Sequence, residues 1–153
     1  MSTSSTDSRG ARRGHRVRDH TADAGIEAWA GTGEALLEEA ALALADIASD
    51  VEPGAGPGRS ETIRVEAADA EGLVFAWLNE LVGLIDARAA AIGAVTVTRA
   101  ELGPPSSLRA IVDLVPFDGR LVRRRSDVKS ATYHLLSVRR DQDGWSLVAY
   151  LDI

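Results

Sequence analysis

The sequence predicts an α+β fold: a single compact two-layer sandwich in which a mixed, mostly antiparallel sheet carries two main helices on one face. Three observations predict it. Apolar residues recur at helical spacing in two long stretches, 34–50 and 70–87. Shorter stretches alternate apolar with polar residues, and most of them follow the second helix. Those late stretches are separated by short breaks rich in Gly, Pro and Asp, the mark of hairpins rather than of parallel crossovers. At 153 residues the chain has the length of one domain with one core.

Residues 1–15, MSTSSTDSRGARRGH, offer almost nothing to bury and are expected to form a disordered tail, leaving 16–153 as the domain. Arg16 to Arg18 form a short strand that enters a polar turn, Asp19-His20-Thr21-Ala22-Asp23. Gly25 to Ala30 alternates and reads as the next strand, broken by Gly31 and Gly33. Thr32 is placed to cap the first helix. In that helix Leu36, Leu37, Ala40, Ala41, Leu44, Ile47 and Ala48 share one stripe, while Glu34, Glu38 and Glu39 suit its N-terminal half. Pro53 to Gly58 is a loop without the Lys-Ser/Thr pair of a phosphate-binding loop. Glu61 to Ala67 is a strand, and Asp69 caps the second helix. The broad apolar face of that helix, with Leu73, Val74, Trp77, Leu78, Leu81, Val82 and Ile85, should make it the most buried element. Four strands follow: Ile92–Glu101, Leu108–Val115, Val128–Val138 and Ser146–Ile153.

Composition narrows the function classes. A net charge of −6 gives no global basic field to draw the protein onto nucleic acid, so neither DNA nor direct RNA binding is expected. The absence of cysteine excludes disulfides, thiolate metal sites and thiol catalysis. No apolar run is long enough to span a bilayer, and the N-terminus lacks the apolar segment of a secretory signal. Arg occurs sixteen times and Lys once, at Lys129. Arg replaces Lys readily where only charge matters, and less readily where a compact ammonium is needed at one spot. Lys129 is therefore a candidate site residue, weighed against the plainer reading of one remaining surface lysine.

Three features carry potential chemistry. The first is the Asp19–Asp23 turn, where Asp19, His20, Thr21 and Asp23 offer carboxylates, an imidazole and a hydroxyl within five residues. Metal binding, phosphate binding and a hydrogen-bonded turn all remain open for it. The second is the basic segment Arg120 to Arg125, running on to Lys129 and His134. Such a run can bind phosphate, although most are solvated faces. The third is the C-terminus, which stops inside a strand pattern and sets Asp152 one residue from a carboxylate on Ile153. If Asp23 came beside these groups, three negative charges would need a cation. An all-oxygen set would select a hard one: Ca²⁺, Mg²⁺ or Mn²⁺. No Ser-His-Asp order, HExxH motif or EF-hand loop is present, so an enzymatic reading lacks an activated nucleophile. A chaperone-like module with a structural acidic cluster, and a metal-dependent phosphoester hydrolase, stand as alternatives.

The segments DHTADAGIEAWAGTGEALLEEAALAL, VFAWLNELVGLID and DVKSATYHLLSV, followed by a terminal LDI, resemble the archease family in the same order, from about Arg16 to Ile153. The resemblance implies a cytoplasmic, non-enzymatic accessory protein of tRNA splicing and RNA repair. Its partner would be an RtcB-type RNA ligase, and tRNA or other RNA would be served only through that ligase. It implies promotion of the ligase's guanylylation and multiple turnover, with a bound divalent cation, assigned in the family as calcium. Carried onto this chain, the metal ligands are Asp23, Asp152 and Ile153, and Lys129 is implicated in ligase activation. Two departures bear on partner contact. The segment before Asp127 is short and basic where the family has an acidic Gly-Glu loop, and the first helix lacks the usual Thr-Leu-Glu-Glu opening.

Overall fold

A computed structural model describes residues 2–6, 12–19 and 23–153. The elements are β1 (Ser2–Thr6), β2 (Arg12–Asp19), β3 (Asp23–Ala30), α1 (Gly33–Ala48), β4 (Ser49–Val51), β5 (Arg59–Ala67), α2 (Ala70–Arg88), β6 (Ala90–Glu101), β7 (Ser106–Pro116), β8 (Val122–Arg124), β9 (Ser130–Asp141) and β10 (Gly144–Asp152). The class is α+β, as expected, with two helices and antiparallel strand pairs. The single mixed sheet resolves differently. A five-stranded sheet has the order β1-β2-β3-β10-β9, a three-stranded sheet the order β5-β7-β6, and β4 pairs with β8. Every described pair is antiparallel.

The helices hold the two larger sheets together. α1 packs on β2, β3 and β10 of one sheet and on β6 of the other, while α2 packs on β9 and on β5, β6 and β7. Both helices therefore bury more than one stripe. On α1, Leu36, Leu37, Ala40, Ala41, Ala43 and Leu44 are fully buried, so the alanines outside the main stripe also face packed neighbours. On α2, Leu73, Val74, Trp77, Leu78 and Leu81 are fully buried, and Trp77 Nε1 donates to the Leu37 carbonyl of α1 at 2.9 Å. That bond satisfies the one polar atom of a large apolar side chain and pins the helices to each other.

The caps fall where sequence placed them. Thr32 Oγ1 accepts from the Ala35 N–H at 3.1 Å, and Asp69 Oδ1 from the Gly72 N–H at 2.8 Å. At the C-terminus of α2, Ala89 adopts the left-handed conformation, φ 48°, to end the helix.

The N-terminal segment departs from the expectation of a disordered tail over 1–15. Ser2–Thr6 pairs with Arg12–Arg16, and Arg12 to His15 are the first half of β2. The reason is electrostatic as well as backbone pairing. Arg13 donates to Glu39 at 2.6 Å and to Glu38 at 3.0 Å. His15, only 5% exposed, lies 2.8 Å from both Glu39 and Asp46 of α1. Burial alone would lower the His15 pKa, but hydrogen bonds to Asp46 and Glu39 raise it to about 9. Burial would likewise raise Glu39, yet the bonds from His15 and Arg13 hold it below the usual carboxylate range. Charged residues that looked like tail are the polar half of a buried network.

Candidate functional site

Asp23 opens β3 and Asp152 closes β10. These strands run antiparallel, and Asp23 and Asp152 are direct cross-strand partners. Along β3, Ala24, Ile26, Ala28 and Ala30 point into the core, so Asp23 belongs to the opposite, outer face with Gly25, Glu27 and Trp29. Along β10, Leu147, Ala149 and Leu151 are the buried set, which puts Asp152 on that same outer face. On its other side Asp152 is paired with Ser130 of β9. The end of the sheet thus carries a row Ser130, Asp152, Asp23. Directly opposed side chains have Cβ atoms about 4.5–5.5 Å apart, and like charges so placed repel. Among the described residues neither carboxylate has an ion-pair partner.

Lys129 immediately precedes β9, and its N–H donates to the Asp152 carbonyl at 2.8 Å. The single lysine of the chain is therefore fixed by its backbone beside the carboxylate pair, with its side chain exposed. Ile153 packs its side chain against the main core, which anchors the backbone that follows Asp152. One row back, Tyr150 pairs with Gly25, and a Cβ at position 25 would stand 3.1 Å from Tyr150 Cε1. The glycine lets the tyrosine ring lie across β3, which supports the strand two residues from each aspartate.

The remaining candidates separate. Asp19 is the last residue of β2, in register with Ala24. His20 and Thr21 lie outside the described residues. His134 is exposed further along β9, where its N–H donates to Thr132 Oγ1 at 3.2 Å, and it is not brought to the aspartates. The arginine run is largely committed to acids. Arg123 pairs with Glu52 at 2.9 Å, Arg124 with Asp86 at 3.3 Å, and Arg125 with Asp50 at 3.8 Å. The Arg124 guanidinium also stacks over Phe117, 4.9 Å from its centroid. Asp118 accepts from the N–H groups of Val122, Arg120 and Leu121, which lowers its pKa and closes the loop around it.

Two positioning residues were given no role by the sequence reading. Asn79 of α2 accepts from the Ala131 N–H at 2.9 Å, and Glu71 from the Val138 N–H at 3.3 Å. β9 is an edge strand, so these N–H groups have no neighbouring strand. The helix supplies acceptors instead, and Asn79 thereby fixes β9 two residues after Lys129. A polar residue amid the apolar positions of α2 was the available signal.

Two acids face each other on the outer face of a sheet with no ion-pair partner among the described residues, and the backbone of the single lysine is bonded beside them. That donor set suits a hard cation, although among the described residues no group of three or more His, Asp or Glu side chains is arranged to hold one. The fold and site define a small α+β protein with an acidic sheet end. The chain belongs to the archease protein family, whose model matches residues 15–153. It is 32% identical over 149 residues to the protein archease of Pyrobaculum neutrophilum, covering 91% of this chain and 95% of that one. It is also 32% identical over 126 residues to the protein archease of Pyrococcus furiosus, covering 82% and 88%. The fold is similar to the solution structure of Methanobacterium thermoautotrophicum protein 1598, with a TM-score of 0.71, 22% identity, and coverage of 91% and 98%. It is also similar to the crystal structure of an archease, described as a possible chaperone, from Thermotoga maritima, with a TM-score of 0.57, 21% identity, and coverage of 90% and 96%. Among the described residues no helix is long and apolar enough to cross a membrane.

Proposed function

We propose that this chain is a metal-dependent accessory protein that activates an RtcB-type RNA ligase, promoting its guanylylation and repeated turnover in the cytoplasm. The observation that carries the reading is the direct cross-strand pairing of Asp23 with Asp152, beside the backbone-fixed Lys129. In this reading Asp23, Asp152 and the terminal residue Ile153 hold the cation, with calcium the leading choice and magnesium or manganese the alternatives. When bound, such a cation offsets the opposed carboxylates and supplies positive charge for phosphate or carboxylate groups of the partner. Lys129 adds a compact ammonium at the same end of the sheet. Asn79 and Tyr150 act by position, one holding the start of β9 and the other bracing β3 against β10. RNA is met through the ligase, in keeping with the net charge of −6.

The test is a guanylylation assay of a purified RtcB-type ligase from the same source, with and without this protein. Wild type should raise the extent and turnover of guanylylation, and Asp23→Ala with Asp152→Ala should not. Full activation by that double variant would overturn the metal-site mechanism. A chaperone-like role is the second reading, favoured by the exposed Tyr133 and Leu135, 60% and 64% accessible. It predicts suppression of aggregation of unrelated unfolded proteins, with no dependence on the ligase.

A further inference from the structure

β9 is interrupted at its middle. Thr132 pairs with Tyr150 and Ser137 with Val148, so residues 133–136 stand opposite Ala149 alone. The extra residues bulge from the edge strand and present Tyr133 and Leu135, the two most exposed large apolar side chains described. Leu135 does so at φ 58°, a conformation that costs a branched side chain energy and is ordinarily left to glycine. The bulge turns Leu136 onto the core while Leu135 itself stays 64% exposed, free to meet an external partner.

The surroundings say what kind of partner fits. The Tyr133 ring stacks on Phe75 of α2, with centroids 4.0 Å apart and planes at 26°, so one aromatic face is held firm. Glu66, Asp69 and Glu71 border the adjoining depression, which no basic residue lines. None of the three carboxylates has an ion-pair partner among the described residues. Asp69 and Glu71 each accept a backbone N–H but keep their charge unneutralised, and an aromatic face with such a rim attracts a cation carried on an apolar stem, by charge and by the ring quadrupole. A phosphate backbone is repelled by the same rim. A second copy of this chain in a two-fold contact would oppose like acids to like acids.

We infer that the 133–136 bulge with its acidic rim is a protein docking surface for an Arg- or Lys-bearing apolar segment. Resting on the function proposed above, that segment belongs to the RNA ligase. The bulge lies on β9, the strand that begins one residue after Lys129 and pairs with Asp152 of β10.

The test measures binding of the purified ligase, and activation of its guanylylation, for four variants. Tyr133→Ser, Leu135→Gly and Glu66→Arg should each weaken ligase binding at least tenfold, and Ile111→Ser, on an exposed face of β7, should not. Leu135→Gly gives the sharpest readout, because relieving the left-handed leucine leaves Tm unchanged or raised while binding falls. Binding by wild type should also weaken as salt rises. If the three variants bind and activate as wild type does, the docking surface is overturned and the ligase function stands. If wild type neither binds nor activates the ligase, both proposals fall. A wild-type dimer that Tyr133→Ser dissociates would assign the bulge to self-association and overturn the inference.

Discussion

At the scale of single residues, the opposed aspartates and the His15 network make contrasting predictions. Asp23 and Asp152 are like charges in direct register, so removing one charge without metal relieves repulsion. Asp152→Asn should stabilise the chelator-treated protein by about 0.2–1 kcal/mol, read by urea denaturation. Under the proposed metal-site function, calcium should reverse the order. A ligand at a hundredfold excess over its Kd stabilises by about 2.7 kcal/mol, which wild type should gain and Asp152→Asn should lose. His15 behaves in the opposite sense to a surface histidine. Its folded pKa, about 9, lies above that of the unfolded chain, so its stabilising contribution is complete below pH ~6.5. That contribution disappears as pH rises through about 9. Glu39 is held low, so its contribution exists above the ordinary carboxylate range and is lost in acid. His15→Gln should therefore destabilise most near pH 6 and least near pH 10, as measured by denaturation of both proteins across that range. The His15 network was not legible in sequence. Arg13 and His15 sit among Ser, Thr and Gly, and only the folded position of Glu39 and Asp46 makes them partners.

At the scale of elements, the helix caps, the apolar stripes and most strands were legible because each is set by neighbours in sequence. Thr32, Asp69 and the Leu/Ala spacing of α1 are local signals, and local hydrogen bonds honour them. β4 and β8 were not legible, being three residues each and too short to show a period. The pairing of the arginine run was hidden for a related reason. Its partners Glu52, Asp86 and Asp50 are distant in sequence, so a segment that reads as a free basic surface is largely neutralised. The edge of β9 gives the prediction for this scale. Asn79→Ala removes the acceptor for Ala131 and should cost about 1 kcal/mol. Amide exchange at Ala131 should speed up while the central strand β10 stays protected. Equal acceleration in both strands would mean that Asn79 holds more than the edge.

For the whole molecule, hairpin patterns told which strands are neighbours but not how many sheets they make. β6 and β7 pair through a tight turn whichever sheet they join, and the helices between the sheets set the outcome. The metal-site candidates were half legible. Asp23 and Asp152 stood out as acids at element ends, but their register depends on strands separated by nearly the full chain. A consequence at this scale concerns the N-terminal segment. Deleting residues 1–15 removes Arg13 and His15 and leaves Glu39, 5% exposed, without either partner. Breaking a buried ion pair costs about 3–5 kcal/mol, so the deletion should lower Tm markedly, whereas loss of a mere tail would leave it unchanged.

The strand order β3-β10-β9 also has a meaning in time. A chain is made from its N-terminus, so β2 and β3 exist long before the strand that fills the gap beside them. β10 is not added to an edge but seated in the interior, between β3 and β9. Until then β3 waits with one side unpaired, and the sheet end that bears Asp23 has no Asp152 to face. The acidic pair therefore comes into being only when β10 closes the gap between β3 and β9, and before that step no carboxylate faces Asp23 across the end of the sheet.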